Sequence, residues 1–352
     1  MAETQRIVII GAGFAGLACA AQLGRAGVPV TLVDRTNYHL FVPLLYQVAT
    51  AALSPADIAR PIRRILSRYP SVNVIMGEVV GIDRAAHTVA LADGTRLSYA
   101  RLVVAAGSAY SYFGHDDWAK FAVGPRNLEQ ARTIRASLLS AFERAEVTTS
   151  DAERDVLMTT VVVGGGPTGV EMAGSIAELA RHALARDFRH IDPRQARILL
   201  IEAGPRLLAA FPEALAAYAR TALERLGVTV ITGQAVESIE PGAVTIAGKR
   251  IAAGTIVWGA GVKASDAGRW LGVERAKDGR VPVNPDLSVK GAPDLFVLGD
   301  MALFPDEKGS PLPALAQVAK QQGTHLGKAL AANLLHGAPL TPFHFHDRGN
   351  TA

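Results

Sequence analysis

Arg6-Ile-Val-Ile-Ile10 runs through Gly11, Gly13 and Gly16 into an Ala/Leu-rich stretch that reaches about Gly27, and Val30-Thr-Leu-Val33 then closes on Asp34. An unbroken apolar run of this length reads as a strand buried on both faces, and the small-residue stretch behind it as a helix. The whole is one βαβ unit. In such a unit the first glycine permits the turn, the second lets backbone approach a pyrophosphate, and the third lets helix and strand pack closely. The helix N-terminus adds free N–H groups and partial positive charge. Asp34 stands 23 residues beyond Gly11, where a carboxylate accepts hydrogen bonds from a ribose.

The pattern returns. Met158-Thr-Thr-Val-Val-Val163 leads into Gly164, Gly166 and Gly169, a helix is predicted from about Val170 to Ala185, and Arg197-Ile-Leu-Leu-Ile201 ends at Glu202. The residues from Arg186 to Gln195 read as a polar excursion that lengthens the connection, placing Glu202 38 residues after Gly164. Two dinucleotides are therefore predicted. An acid at the second site favours a free 2′-hydroxyl over a 2′-phosphate, which points to NADH rather than NADPH. Arg206 nearby is the residue that offers a phosphate the opposite charge.

At 352 residues the chain exceeds one usual domain, and its 49% hydrophobic content supplies an ample core. Cys19 is the single cysteine, so no disulfide framework forms within the chain and a reducing compartment is expected. No signal-peptide pattern and no apolar run of membrane-spanning length is read. A net charge of +4 gives no surplus that points to nucleic acid. Arg60, Arg63, Arg64 and Arg68 fall at helical spacing and are read as a solvated face. His344 and His346 alternate as on a strand, but no further ligands accompany them, so no metal is predicted.

The remaining pieces follow one plan twice. Val72 to Val80 reads as a strand, and Thr88 to Tyr99 as a hairpin on the Asp93-Gly94 turn. Leu102-Val-Val-Ala-Ala106 is a buried strand running into Gly107. Strands near Val228 to Ile231, Ala243 to Ile246 and Thr255 to Trp258, the last ending in Gly259-Ala260-Gly261, repeat the arrangement. Asn127 to Val147 reads as a linking helix. Asp294 to Asp300 reads as a strand with a carboxylate at its carboxyl end, where open α/β sheets bind ligands. Pro313 is placed at the opening of a helix from Ala314 to Leu335, with Gln317 and Gln321 one turn apart. The predicted fold class is α/β, with two Rossmann-like dinucleotide-binding domains, the second inserted in the first. The first domain takes residues 1–113 and 265–336, the second 114–264, and 337–352 begin a further C-terminal region.

Together, the twin glycine motifs, Ala105-Ala106-Gly107 and Gly299-Asp300 resemble the two-dinucleotide flavoproteins. Three segments, Asn37 to Ser54, Gly169-Val-Glu171-Met-Ala-Gly174 and Ala316-Gln-Val-Ala-Lys-Gln-Gln-Gly323, resemble type II NADH:quinone oxidoreductase. The similarity runs through essentially the whole chain. It implies tightly bound FAD held by Gly11, Gly13, Gly16, Asp34, Arg35, Val80, Ala106, Gly107, Asp300 and Gln317. It implies NADH held by Gly164, Gly166, Gly169, Glu202 and Gly261. Pro43, Leu44, Tyr46, Gln47, Gln317 and Gln321 are the implied quinone contacts, and Glu171, Gln317 and Gln321 the catalytic candidates. Relatives that reduce disulfides carry a cysteine pair after the first βαβ unit. Here His39, Pro43, Leu44, Tyr46 and Gln47 stand there instead, so electrons must leave the flavin directly for a diffusible acceptor. The resemblance further implies electron transfer without proton pumping and a peripheral position on the cytoplasmic side of the cell membrane. Docking would use C-terminal amphipathic helices, of which residues 337–352 would be a truncated start, leaving this chain soluble. A homodimer is compatible with it. Two other readings stay open on the residues alone: a soluble NADH-dependent reductase of a ferredoxin or rubredoxin, and a flavin-bearing redox sensor.

Overall fold

A computed structural model describes residues 6–349. The outermost residues of the first predicted domain, 1–5, and of the C-terminal region, 350–352, lie outside the described residues. The elements that carry the argument are, in chain order, β1 (Ile7–Ile10), α1 (Phe14–Arg25), β2 (Val30–Asp34), β3 (Val72–Met76), β4 (Arg101–Val104), α2 (Leu128–Val147), β5 (Thr159–Val163), α3 (Pro167–Glu178), β6 (Arg197–Glu202), β7 (Val228–Thr232), β8 (Thr255–Trp258), β9 (Ala292–Val297) and α4 (Ala316–His336).

The chain divides into two units. Among the described residues, the first comprises 6–40, 59–109 and 263–349, and the second Phe41–Ile58 and Tyr110–Val262. In the first, β9, β4, β1, β2 and β3 lie side by side and parallel, and the short strand Ser288–Val289 pairs antiparallel at the β9 edge. Every residue of β1 is buried, because helices and loops cover both sheet faces and leave no polar side to alternate with. Helix α1 buries Ala15, Gly16, Cys19, Ala20, Leu23 and Gly24, a stripe of small residues at helical period. That stripe lets α4 come very close: a Cβ added at Gly323 would sit 2.0 Å from the carbonyl oxygen of Ala15. Burial pushes the Cys19 thiol up to about 12, consistent with its place in the apolar core.

In the second unit β7, β6, β5 and β8 form a parallel sheet in that order. Helix α2 opens on Asn127, whose side chain accepts the Gln130 N–H, an N-cap of the usual kind. The Arg186 to Gln195 connection is partly packed rather than wholly polar. Ile191 is buried, and the Glu146 carboxylate accepts the N–H groups of Arg189, His190 and Ile191 at 2.9 to 3.1 Å, which holds the loop to α2.

Several elements differ from the sequence expectation. The single strand predicted over Val72 to Val80 is two strands, because the chain turns at Gly77 and Glu78 and Val79–Asp83 joins a separate antiparallel sheet. Pro313 does not open α4, whose N-cap is Leu315. Arg60 lies in a short strand, and only Arg63 and Arg64 share the five-residue helix Ile62–Leu66, so the four arginines do not form one helical face. Phe41–Ile58 groups with the second unit, not the first, since its short helix buries Leu45, Val48 and Ala49 and packs on α2 and α3. Residues 337–349 pack on the first unit. Phe343 is 4% exposed and joins its core, with its ring centroid 5.3 Å from that of Phe304.

Candidate functional site

Both glycine loops are built the same way. The Gly11 N–H donates to Val33 O at 2.8 Å and the Gly164 N–H to Ile201 O at 2.7 Å. Each glycine has positive φ, +96° and +107°, which side chains resist. Each also lies against the neighbouring strand's end, where a Cβ would come within 2.4 Å of Ala105 O or 2.5 Å of Ala260 Cα. Gly16 and Gly169 face the first glycine of their own loops, where an added Cβ would stand 1.8 and 1.7 Å from its carbonyl oxygen. Gly13 and Gly166, by contrast, have nothing within 4 Å of a would-be Cβ. Two positions are filled by the fold and the middle one opens on space, which is the arrangement a bound pyrophosphate requires. The residues therefore fit a dinucleotide at each loop.

The acids are held in matching positions. Asp34 Oδ2 accepts the Ala12 N–H at 2.7 Å, while Oδ1 accepts from the Thr36 N–H and hydroxyl, both at 2.8 Å. Glu202 Oε2 accepts the Gly165 N–H at 2.5 Å and Oε1 the Gly204 N–H at 2.6 Å. Each carboxylate is aimed by backbone donors and retains lone pairs for ribose hydroxyls. Arg206 gives its N–H groups to the carbonyls of Leu208, Ala209 and Phe211. Its charge is thus engaged in closing its own loop.

Around the first loop, Arg35 is exposed, and Val80 is 52% exposed within Val79–Asp83. Ala106 and Gly107 follow β4, Gly107 with φ +70°. The next residue, Ser108, was missed by sequence reasoning. Its hydroxyl donates to Asp300 Oδ2 at 2.5 Å, fixing the carboxylate predicted to hold ligand hydroxyls. Gln322 was also missed. It is 1% exposed, and its Oε1 accepts the Gly299 N–H at 2.7 Å, tying the turn before Asp300 to α4. The available signal was its period, since Gln322 shares a face with the buried Val318, Ala319 and Leu326. His39 Nδ1 lies 2.9 Å from Ala12 O, at the glycine loop itself.

In the second unit, Gly261 has φ +138°, and a Cβ there would stand 3.2 Å from Phe113 Cζ. Glu171 lies in α3 behind Gly169, half-buried. Burial alone pushes its carboxyl up to about 7, so both protonation states are populated near neutrality. The predicted acceptor residues divide between the units. Pro43, Leu44, Tyr46 and Gln47 belong to the second, where the Gln47 amide donates to the Tyr46 hydroxyl at 3.1 Å. Gln317 and Gln321 belong to the first, on the side of α4 that faces residues 346–349.

Comparison with known proteins bears on this geometry. A family model described as pyridine nucleotide-disulphide oxidoreductase matches residues 5–323. The type II NADH:quinone oxidoreductase Ndh of Mycobacterium tuberculosis is 42% identical over 361 residues, which cover 99% of this chain and 77% of that protein. The type II NADH:quinone oxidoreductase of Staphylococcus haemolyticus is 31% identical, covering 99% of this chain and 87% of its own length. Among solved structures, NDH2 from Plasmodium falciparum in complex with NADH superposes with a TM-score of 0.90 at 19% identity, over 99% of this chain and 87% of that one.

Proposed function

The chain belongs to the pyridine nucleotide-disulphide oxidoreductase family and, within it, to the type II NADH:quinone oxidoreductases, and from that premise we propose how its residues divide the work. The enzyme is an FAD-dependent oxidoreductase that oxidises NADH and reduces a quinone. FAD, when bound, would supply the redox chemistry that links NADH oxidation to quinone reduction. The chain's own residues bind, orient and manage protons.

Gly13 leaves room at the N-terminus of α1 for a pyrophosphate, and Asp34 receives the adenosine ribose. Asp300, steadied by Ser108 and by the Gln322 anchor on Gly299, holds hydroxyls farther along the same cofactor. Gly166 and Glu202 do the corresponding work for NADH. Tyr46 and Gln47 in the second unit are assigned to the quinone, and so, separately, is the Gln317 and Gln321 face of α4 in the first. Glu171 gates the nicotinamide or relays one of the two protons that quinone reduction consumes. Respiratory quinones dissolve in lipid, so the enzyme works at a membrane surface, on the cytoplasmic side where NADH is available. No helix among the described residues is long and apolar enough to cross a membrane.

The observation that carries the division is the second acid, Glu202, locked by two backbone N–H groups beside an Arg206 already committed to its loop. Glu202→Ala is expected to lower the ratio of kcat/KM for NADH over NADPH on the order of tenfold, the effect of one charge-assisted contact. Equal use of both donors by the unaltered enzyme would remove the assignment. The two half-reactions are separated by anaerobic stopped flow: NADH should bleach the flavin absorbance, and a short-chain quinone should restore it. Restoration only by an iron–sulfur protein would instead support a ferredoxin-type reductase, and restoration by neither a redox sensor.

A further inference from the structure

Helix α4 lays three side chains, one turn apart, along an extended stretch of the same chain, residues 341–349. The Gln321 amide donates to His346 O at 2.9 Å and accepts the His346 N–H at 3.0 Å, so it pairs with that residue's backbone as a neighbouring β-strand would. One turn before it, Gln317 accepts the Arg348 N–H at 3.2 Å and donates to Gly349 O at 3.1 Å. One turn after it, His325 Nε2 lies 2.9 Å from Thr341 O. Side chains four apart share a helix face, and here that face runs antiparallel to the stretch it holds. Phe343 pins the middle: its N–H donates to Pro285 O at 2.7 Å, and its ring packs against Phe304 and His325. Because nearly all of these bonds are to backbone, they depend little on the strap's side chains, a proline excepted.

We infer that Gln321 is a positioning residue. It fixes the strap of residues 341–349 against α4, and it acts on quinone reduction through that strap rather than by touching the quinone. The inference rests on the reading above that this face of α4 serves the acceptor. A direct ligand and a strap anchor predict different measurements. In Gln321→Ala holoenzyme two bonds to His346 are lost, and amide hydrogen exchange across 341–349 should quicken on the order of tenfold. The KM for a short-chain quinone should rise several-fold, with kcat changed much less. His346→Pro removes the N–H from the strap side while leaving Gln321 intact. It should raise the same KM, and the double variant should be no worse than either single one.

A higher quinone KM in Gln321→Ala with unchanged exchange would overturn the inference in favour of direct contact. Faster exchange with an unmoved KM would overturn it in favour of a role in the fold alone. An effect of Gln321→Ala that His346→Pro does not share would overturn it as well. If the unmodified holoenzyme reduces no quinone, the functional reading fails and takes this inference with it. In that case faster exchange in Gln321→Ala would still show that Gln321 anchors the strap, which keeps the two failures distinguishable.

Discussion

Gly16→Ala will be recovered without bound flavin, and its flavin-free protein will melt below flavin-free wild type, whereas flavin-free Gly13→Ala will match flavin-free wild type in Tm and lose only flavin affinity. The contrast follows from what each added methyl meets. At Gly16 a Cβ would stand 1.8 Å from Gly11 O and 3.0 Å from its carbonyl carbon, both backbone atoms of a turn held by the Gly11 N–H to Val33 O bond. No flexible side chain is there to give way. Helix α1 must move off β1, and it has little freedom to do so, because α4 already crosses it at the Gly323 to Ala15 contact. Overpacking of this kind costs about 3 kcal/mol or more, since the strain cannot relax locally. At Gly13 there is nothing within 4 Å, so the methyl meets no protein atom and intrudes only where the proposed pyrophosphate would lie. Flavin absorbance per protein and a thermal melt read the two effects separately. If both variants lost equal Tm, or if Gly16→Ala held flavin normally, the cradle at the first loop would have been misread. Gly169→Ala, with its Cβ 1.7 Å from Gly164 O, carries the same strain into the second unit and should impair NADH use while sparing flavin.

Those loops were legible in the sequence because everything that makes them is local. An apolar strand, three spaced glycines, a small-residue helix and an acid after the second strand fix a βαβ unit within some forty residues, and both copies fold that way. The strands Ala243–Ile246 and Thr255–Trp258 were likewise readable from short β-rich runs. What the sequence hid depends on distant partners. The grouping of Phe41–Ile58 with the second unit is decided by what Leu45, Val48 and Ala49 pack against, which no local pattern encodes. Gln317 and Gln321 stood out as a spaced polar pair, while Gln322 passed unnoticed. Yet Gln322 is the one buried in the first unit, satisfying Gly299. A buried glutamine and a half-buried one are the same letter, and only the partner on the other side of the contact tells them apart.

Glu171→Gln should slow steady-state quinone reduction by about a hundredfold, the scale on which a positioned proton donor or acceptor contributes. The substitution conserves size, so a purely steric gate would survive it, and a large loss would assign proton transfer. The pH dependence sharpens the test. Burial raises the Glu171 carboxyl from its ordinary 4.5 to about 7, so the pH–rate profile of the wild type should show a limb near 7 that the variant lacks. The same shift fixes the sign of a stability effect. The folded protein binds this proton more tightly than the unfolded chain, so the group's contribution is fully favourable below pH 4.5 and is lost as pH rises through about 7. Above that, a charge sits in a partly desolvated place that glutamine would leave neutral. The variant should therefore match wild-type stability in acid and exceed it by about 1 to 2 kcal/mol at pH 8, a figure reduced from the full shift because solvent screens part of the carboxyl. A Tm difference that stays flat between pH 4 and 8, roughly the span of the linkage, together with an unchanged kinetic limb, would show that Glu171 titrates as an ordinary surface acid. The proton for the quinone would then have to come from a different group.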